Sequence, residues 1–166
     1  QRLCPVLVIL AVALLDRAGR SKALAIALGC LCTVAISYLL KDMIGRSRPY
    51  VPPAEGHWSW GGPAMGLARG SAWQSFPSSH TTGAFALSVG LAWFYRRGAA
   101  LFYTLAVITA VQRVLHGAHF LSDVFAGMGL AVLITRWSLV VDLAGKVLAI
   151  LPAGVRAWFD VPAVSD

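Results

Sequence analysis

The sequence predicts an all-α protein, a polytopic transmembrane helical bundle, and three observations predict it. Hydrophobic residues make up 58% of the chain and charged residues only 13%, a balance too apolar for an ordinary soluble domain. The apolar residues fall into runs long enough, or nearly so, to cross about 30 Å of hydrocarbon at roughly 1.5 Å per residue. The basic residues behind the net charge of +7 sit at the ends of those runs. There they read as topology signals and phosphate ligands, not as a nucleic-acid surface.

One membrane-embedded domain is expected over residues 1–166, with five visible spans. The first, Leu3–Leu15, is about one turn too short. Because the chain opens on Gln1 and not on Met, residues upstream are expected to be missing, and no signal peptide can be read in Gln1–Arg17. A basic turn, Asp16–Lys22, leads into the second span, Ala23–Leu40. Its small residues Ala25, Ala27, Gly29, Ala35 and Ser37 allow close helix approach in lipid, where apolar burial gives no driving force. Residues 42–76 then change character, with Pro49, Pro52, Pro53 and Pro63 against a regular span and Trp58, Trp60 and Trp73 favouring the membrane–water interface. This predicts a long functional loop over the bundle. The third span, Thr81–Tyr95, is announced by Pro77-Ser78-Ser79-His80, a Ser cap with an early proline. The fourth is Ala99–Leu115 and the fifth Phe120–Thr135. The tail, 138–166, carries Asp142 and Lys146 four residues apart in an apolar run and is expected to form an interfacial helix. Cys4, Cys30 and Cys32 are odd in number and lack paired spacing, so they read as packing residues.

The short connections holding Arg17, Arg20, Lys22, Arg96, Arg97 and Arg136 should be cytoplasmic. The opposite surface, facing the periplasm or the cell exterior, receives three remote segments: Lys41–Pro49, Pro77–His80 and Arg113–Asp123. They supply Lys41, Arg48 and Arg113, three cations that would repel one another unless an anion lay between them, and a phosphate suits their geometry. If the chain is helical from Ala118 onward, His119 and Asp123 share a face, so the carboxylate holds one ring nitrogen and frees the other as base or nucleophile. His119 would then attack phosphorus and His80 protonate the departing oxygen. Backbone N–H groups at Ser78, Ser79 and His80 would receive phosphate oxygens, and the three cations would stabilise the transition state.

Lys41-x6-Arg48-Pro49, Pro77-Ser78-Ser79-His80 and Arg113-x5-His119-x3-Asp123 resemble the three signature motifs of the type 2 phosphatidic acid phosphatase family, which includes lipid phosphate phosphatases. The resemblance covers residues 41–123. It implies a six-helix membrane bundle and hydrolysis without metal or other cofactor. It also implies a phosphohistidine on His119, with His80 acting first as acid and then as base for water. Two features depart from the family: Ser79 stands where glycine is usual, and five spans are visible instead of six. The implied substrates are membrane lipids of a bacterial inner (cytoplasmic) membrane: an isoprenoid carrier diphosphate, lipid A 1-phosphate, phosphatidylglycerol phosphate or phosphatidate, with a lean towards the first two. No nucleic-acid partner is expected.

Blander roles are assigned to other residues. Arg46 and Arg69 read as snorkelling interface anchors, His57 as a surface residue, His116 as a local helix-end hydrogen bonder, and the tryptophans as interface anchors. Two rival functions remain. A metal-dependent hydrolase would use His80, His116, His119 and Asp123 as ligands, and a small anion channel or lipid transporter would have a basic mouth.

Overall fold

The computed structural model describes residues 3–16, 19–51, 68 and 70–159. Arg17, Pro52, Pro53, His57, Trp58, Trp60, Pro63 and Arg69 lie outside the described residues, as do the side chain of Cys4 and the end of the tail. Among the described residues the fold is all-helical. The helices are α1 (Leu3–Leu15), α2 (Gly19–Ile44), α3 (Ser79–Phe94), α4 (Ala99–Leu115), α5 (Leu121–Val140), α6 (Leu143–Ala149) and α7 (Ala153–Phe159). Single 3₁₀ turns occupy Gly70–Trp73 and Arg96–Gly98.

Helix α3 is the axis of the bundle and packs on α2, α4 and α5; α2 also packs on α5, and α1 leans on α2. The interior is rich in small and hydroxylated residues, set beside Ile26, Phe85, Val89 and Val124. Ala86, Ala131, Thr33, Thr81, Thr82 and Thr135 are fully buried, whereas Leu7, Leu14, Leu31, Leu105, Ile108 and Leu133 lie on the outside. That inversion of the soluble pattern suits a hydrocarbon solvent. The buried hydroxyls find acceptors within the bundle: Thr33 Oγ1 donates to the Gly29 carbonyl at 2.7 Å and lies 3.0 Å from Thr135 Oγ1. Ser88 Oγ reaches the Phe102 carbonyl at 2.8 Å, tying α3 to α4. Such bonds hold helices together where lipid tails compete equally for apolar contact.

Among the described residues, three helical segments are long and apolar enough to cross a membrane: α2, α4 with its leading 3₁₀ turn, and α5. Helices α1 and α3, of 13 and 16 residues, are shorter than the roughly 20 residues that a span requires. Helix α5 runs on to Val140, past the expected end at Thr135, because Ser138 is buried and its hydroxyl donates to the Thr135 carbonyl at 2.8 Å. The tail then breaks into two short helices instead of one. Asp142, at φ 48°, caps α6 by accepting from the Gly145 N–H. Helix α7 returns to the start of α2, where Arg20 lies 4.4 Å over the Trp158 ring and donates to the Trp158 carbonyl at 2.8 Å. At that same end Asp16 accepts from Lys22 at 2.7 Å and from the Tyr95 hydroxyl at 2.6 Å, joining α1, α2 and α3.

Candidate active site

The opposite end of the bundle gathers the end of α2, the start of α3, the α4–α5 turn and residues 70–78. Main-chain hydrogen bonds stitch these pieces together. Ser75 N–H donates to the Arg46 carbonyl, Arg48 N–H to the Ala72 carbonyl and Ser78 N–H to the Asp123 carbonyl, at 2.9, 2.9 and 3.0 Å. The α4–α5 turn is a Schellman-type end. Gly117 sits at φ 60°, and Ala118 N–H reaches back to the Arg113 carbonyl at 3.1 Å. Glycine carries no Cβ penalty in this left-handed conformation. The reversal returns the chain so that His119 is buried beneath it at 3% exposure.

His119 precedes the helix, since Phe120 is the N-cap of α5, so the helical i,i+4 relation expected between His119 and Asp123 does not apply. Its Nδ1 lies 2.8 Å from the Ser75 carbonyl and 3.8 Å from Asp123 Oδ2. The Ser75 carbonyl is thus the nearer partner of Nδ1, and the expected carboxylate, Asp123, stands beside the same nitrogen at ion-pair range. A carbonyl only accepts, so Nδ1 carries the proton and Nε2 keeps its lone pair.

Asp123 has further partners besides His119. Fully buried, it accepts from Arg46 Nη1 at 2.5 Å, from Ser75 Oγ at 2.6 Å and from the Phe120 N–H at 2.9 Å. Arg46, expected to be an interface anchor, is instead 9% exposed; it also donates to Ser122 Oγ at 2.8 Å and stacks 4.2 Å over the Phe120 ring. The carboxylate needs this cation because an unpaired buried charge is strongly unfavourable. Arg46 occupies one of the unspecified positions between Lys41 and Arg48, so motif spacing gave no reason to single it out. The usable signal was the carboxylate itself, which sat near the beginning of an apolar span without an assigned cation.

The three expected cations do converge. Lys41, 4% exposed, donates to the Gln74 carbonyl at 2.6 Å. Arg48 bridges two segments, from Nε to the Ser71 carbonyl at 2.8 Å and from Nη1 to the Ala118 carbonyl at 3.3 Å. Arg113 has a buried Nε without a hydrogen-bond partner among the described residues. His80, exposed at the second position of α3, lies within electrostatic range of Arg113, His119, Arg48 and Lys41 together. The site end of the bundle thus offers one open imidazole, one buried imidazole whose Nδ1 is held by a carbonyl, and three cations, a set of groups that suits a tetrahedral anion.

Ser78 and Ser79 are arranged differently from expectation. The Ser78 hydroxyl makes no cap hydrogen bond and instead accepts from Thr81 Oγ1 at 3.1 Å, while its N–H is committed to the Asp123 carbonyl. Ser79 Oγ lies 3.5 Å from Ser37 Oγ. Anion-directed donors at this helix start therefore have to come from residues after Ser78. His116 is exposed, with Nδ1 2.8 Å from the Gln112 carbonyl, the helix-end hydrogen bond expected of it. Among the described residues no group of three or more His, Cys, Asp or Glu is arranged to hold a metal ion.

Residues 22–144 match the PAP2 superfamily over their whole extent, including all three motifs. The chain belongs to the PAP2 superfamily. This agrees with the family resemblance carried by the motifs. Two relatives, from Rhizobium johnstonii and Rhizobium etli and both named lipid A 1-phosphatase, are 38% identical to this PAP2 chain over 93 residues, 56% of its length. The aligned region covers 36% and 38% of those relatives, so the chain spans little more than a third of each. No solved structure matches.

Proposed function

We propose that this PAP2 protein is an integral membrane lipid phosphatase that removes phosphate from a lipid phosphate monoester or diphosphate through a phosphohistidine on His119. One observation carries the reading: main-chain bonds from Ser75 to Arg46, Arg48 to Ala72 and Ser78 to Asp123 bring the three motif segments to one end of the bundle, where His119 is held by the Ser75 carbonyl, Arg48 reaches the Ala118 carbonyl beside it and Arg113 keeps a buried Nε without a partner among the described residues. The Nε2 lone pair of His119 attacks phosphorus while the bond to the lipid oxygen breaks, and His80 gives that oxygen its proton. His80, now neutral, takes a proton from water. The resulting hydroxide attacks the phosphohistidine, releasing inorganic phosphate and restoring both rings. Lys41, Arg48 and Arg113 balance the charge on the equatorial oxygens. Arg113 gains an acceptor for its buried Nε in doing so. The Ser75 carbonyl keeps Nδ1 protonated throughout, and Asp123, at 3.8 Å, balances the positive ring of the intermediate.

The site end of the bundle faces the periplasm or cell exterior of a bacterial inner membrane, by the positive-inside argument. Envelope lipids are therefore the substrate class. The names of the two rhizobial relatives favour the 1-phosphate of lipid A, with an isoprenoid carrier diphosphate next. The test is phosphate release from a panel of lipid phosphates and diphosphates in detergent, with and without chelator and orthovanadate. Activity should survive the chelator, fall with vanadate and be lost in His119→Ala. Complete loss on chelation, or a His119→Ala rate above about a tenth of the parent, would overturn the reading.

A further inference from the structure

Helices α4 and α5 are joined by a tight turn yet barely touch, each packing on α3 instead. Between them runs a furrow of about 280 Å³ whose lining has no polar surface. Val107, Val111 and Leu115 form one wall and Leu121, Phe125 and Met128 the other. Along α4 this lining covers about 12 Å at roughly 1.5 Å per residue. Both walls run to the site end of the bundle: Leu115 is the last residue of α4 and Leu121 the first of α5, on either side of the turn that carries His119.

Resting on the phosphatase reading, we propose that the α4–α5 furrow seats one hydrocarbon chain of the phosphorylated lipid substrate, fixing the direction from which the phosphate reaches His119. A wholly apolar trough that opens at the end of the bundle carrying Lys41, Arg48 and Arg113 matches an anionic amphiphile in both halves. Its volume, at or just below the small end of ligand cavities, suits a single chain. Because the chain is surrounded by hydrocarbon whether it is free in the bilayer or in the furrow, entry yields little hydrophobic gain. The furrow orients the substrate more than it concentrates it, and orientation acts on the rate of the chemical step.

Val107 and Val111 are 46% and 49% exposed, so a larger side chain at either fills the trough without entering the core. In detergent, Val107→Trp and Val111→Trp should lower kcat/KM for dioleoyl phosphatidate about tenfold, leaving para-nitrophenyl phosphate within about twofold of the parent. Unchanged phosphatidate rates, or equal losses on both substrates, would overturn the inference. A second measurement uses the unaltered protein. A phosphatidate with a mid-chain diazirine should label peptides 107–115 and 121–128 more heavily than the matching phosphatidylcholine. Equal labelling would mean that bulk lipid fills the trough, and no label there would mean that another helix or a second copy covers it; either result refutes the proposal. If the parent hydrolyses no lipid phosphate, the proposed function fails instead, and the labelling still tests the furrow.

Discussion

Asp123 and Arg46 form a pair sealed inside the protein, with Ser75 Oγ and the Phe120 N–H filling the remaining acceptor positions. Removing only the cation leaves an uncompensated carboxylate at zero exposure. Arg46→Met should therefore destabilise the protein by about 3 kcal/mol, read as a lower thermal midpoint in detergent. Activity should fall with it, because Asp123 also anchors the strand of chain that carries His119. Ser75→Ala is a milder change: the hydroxyl is lost but the carbonyl on His119 Nδ1 stays. A loss of about 1 kcal/mol in stability, with phosphate release within tenfold of the parent, is the expected result of a melt and a rate assay. At this scale the motif residues were legible and the supporting pair was not. Lys41, Arg48, Arg113, His80 and His119 stand out because charge is costly beside apolar spans. Arg46 shares that chemistry, but no spacing distinguishes it from a snorkelling anchor, and the Ser75 carbonyl is a main-chain atom that no side-chain pattern can announce.

Among the elements, α3 and α5 approach most closely beside the site. A Cβ added at Gly127 would stand 2.7 Å from Thr82 Oγ1 and 2.9 Å from the Ser78 carbonyl. The second of these is main chain and has little room to yield. Gly127→Ala should push α5 away from α3, stretch the Ser78 N–H bond to Asp123 and cost about 1–3 kcal/mol. Thermal melts and phosphate-release rates should fall together, and an unchanged rate would show that the site tolerates the shift. The helices themselves were largely readable: α1 and α4 keep the expected limits, and α2 extends beyond its apolar core at both ends. The two ends of α5 compare differently with expectation. The expected start at Phe120 is the N-cap of the observed helix, and the condition that the chain be helical from Ala118 is not met, because the Gly117 reversal delays the start to Leu121. Arg136 and Ser138 looked like a terminus because they are polar, yet Ser138 turns its hydroxyl to its own helix and lies close to Gly29 of α2.

Across the whole molecule the two ends of the bundle differ in character. One end gathers Lys41, Arg48, His80 and Arg113; the other carries the Asp16–Lys22–Tyr95 cluster, the exposed Arg96 and Arg97, and the docked α7. If the proposed orientation holds, an impermeant maleimide added to intact cells should label Tyr50→Cys above the parent background and leave Arg97→Cys unlabelled until the membrane is opened. Labelling in the reverse order would place the site on the cytoplasmic face. The sequence carried this polarity through its basic turns, but it did not carry the gap between α4 and α5, since both helices are uniformly apolar and nothing in their pattern says which neighbour each prefers. The links Ser75–Arg46, Arg48–Ala72 and Ser78–Asp123 run through peptide groups that every residue except proline provides. Wherever a side chain in residues 70–78 makes no buried bond of its own, unlike Ser75, it can be exchanged while this main-chain frame keeps its shape.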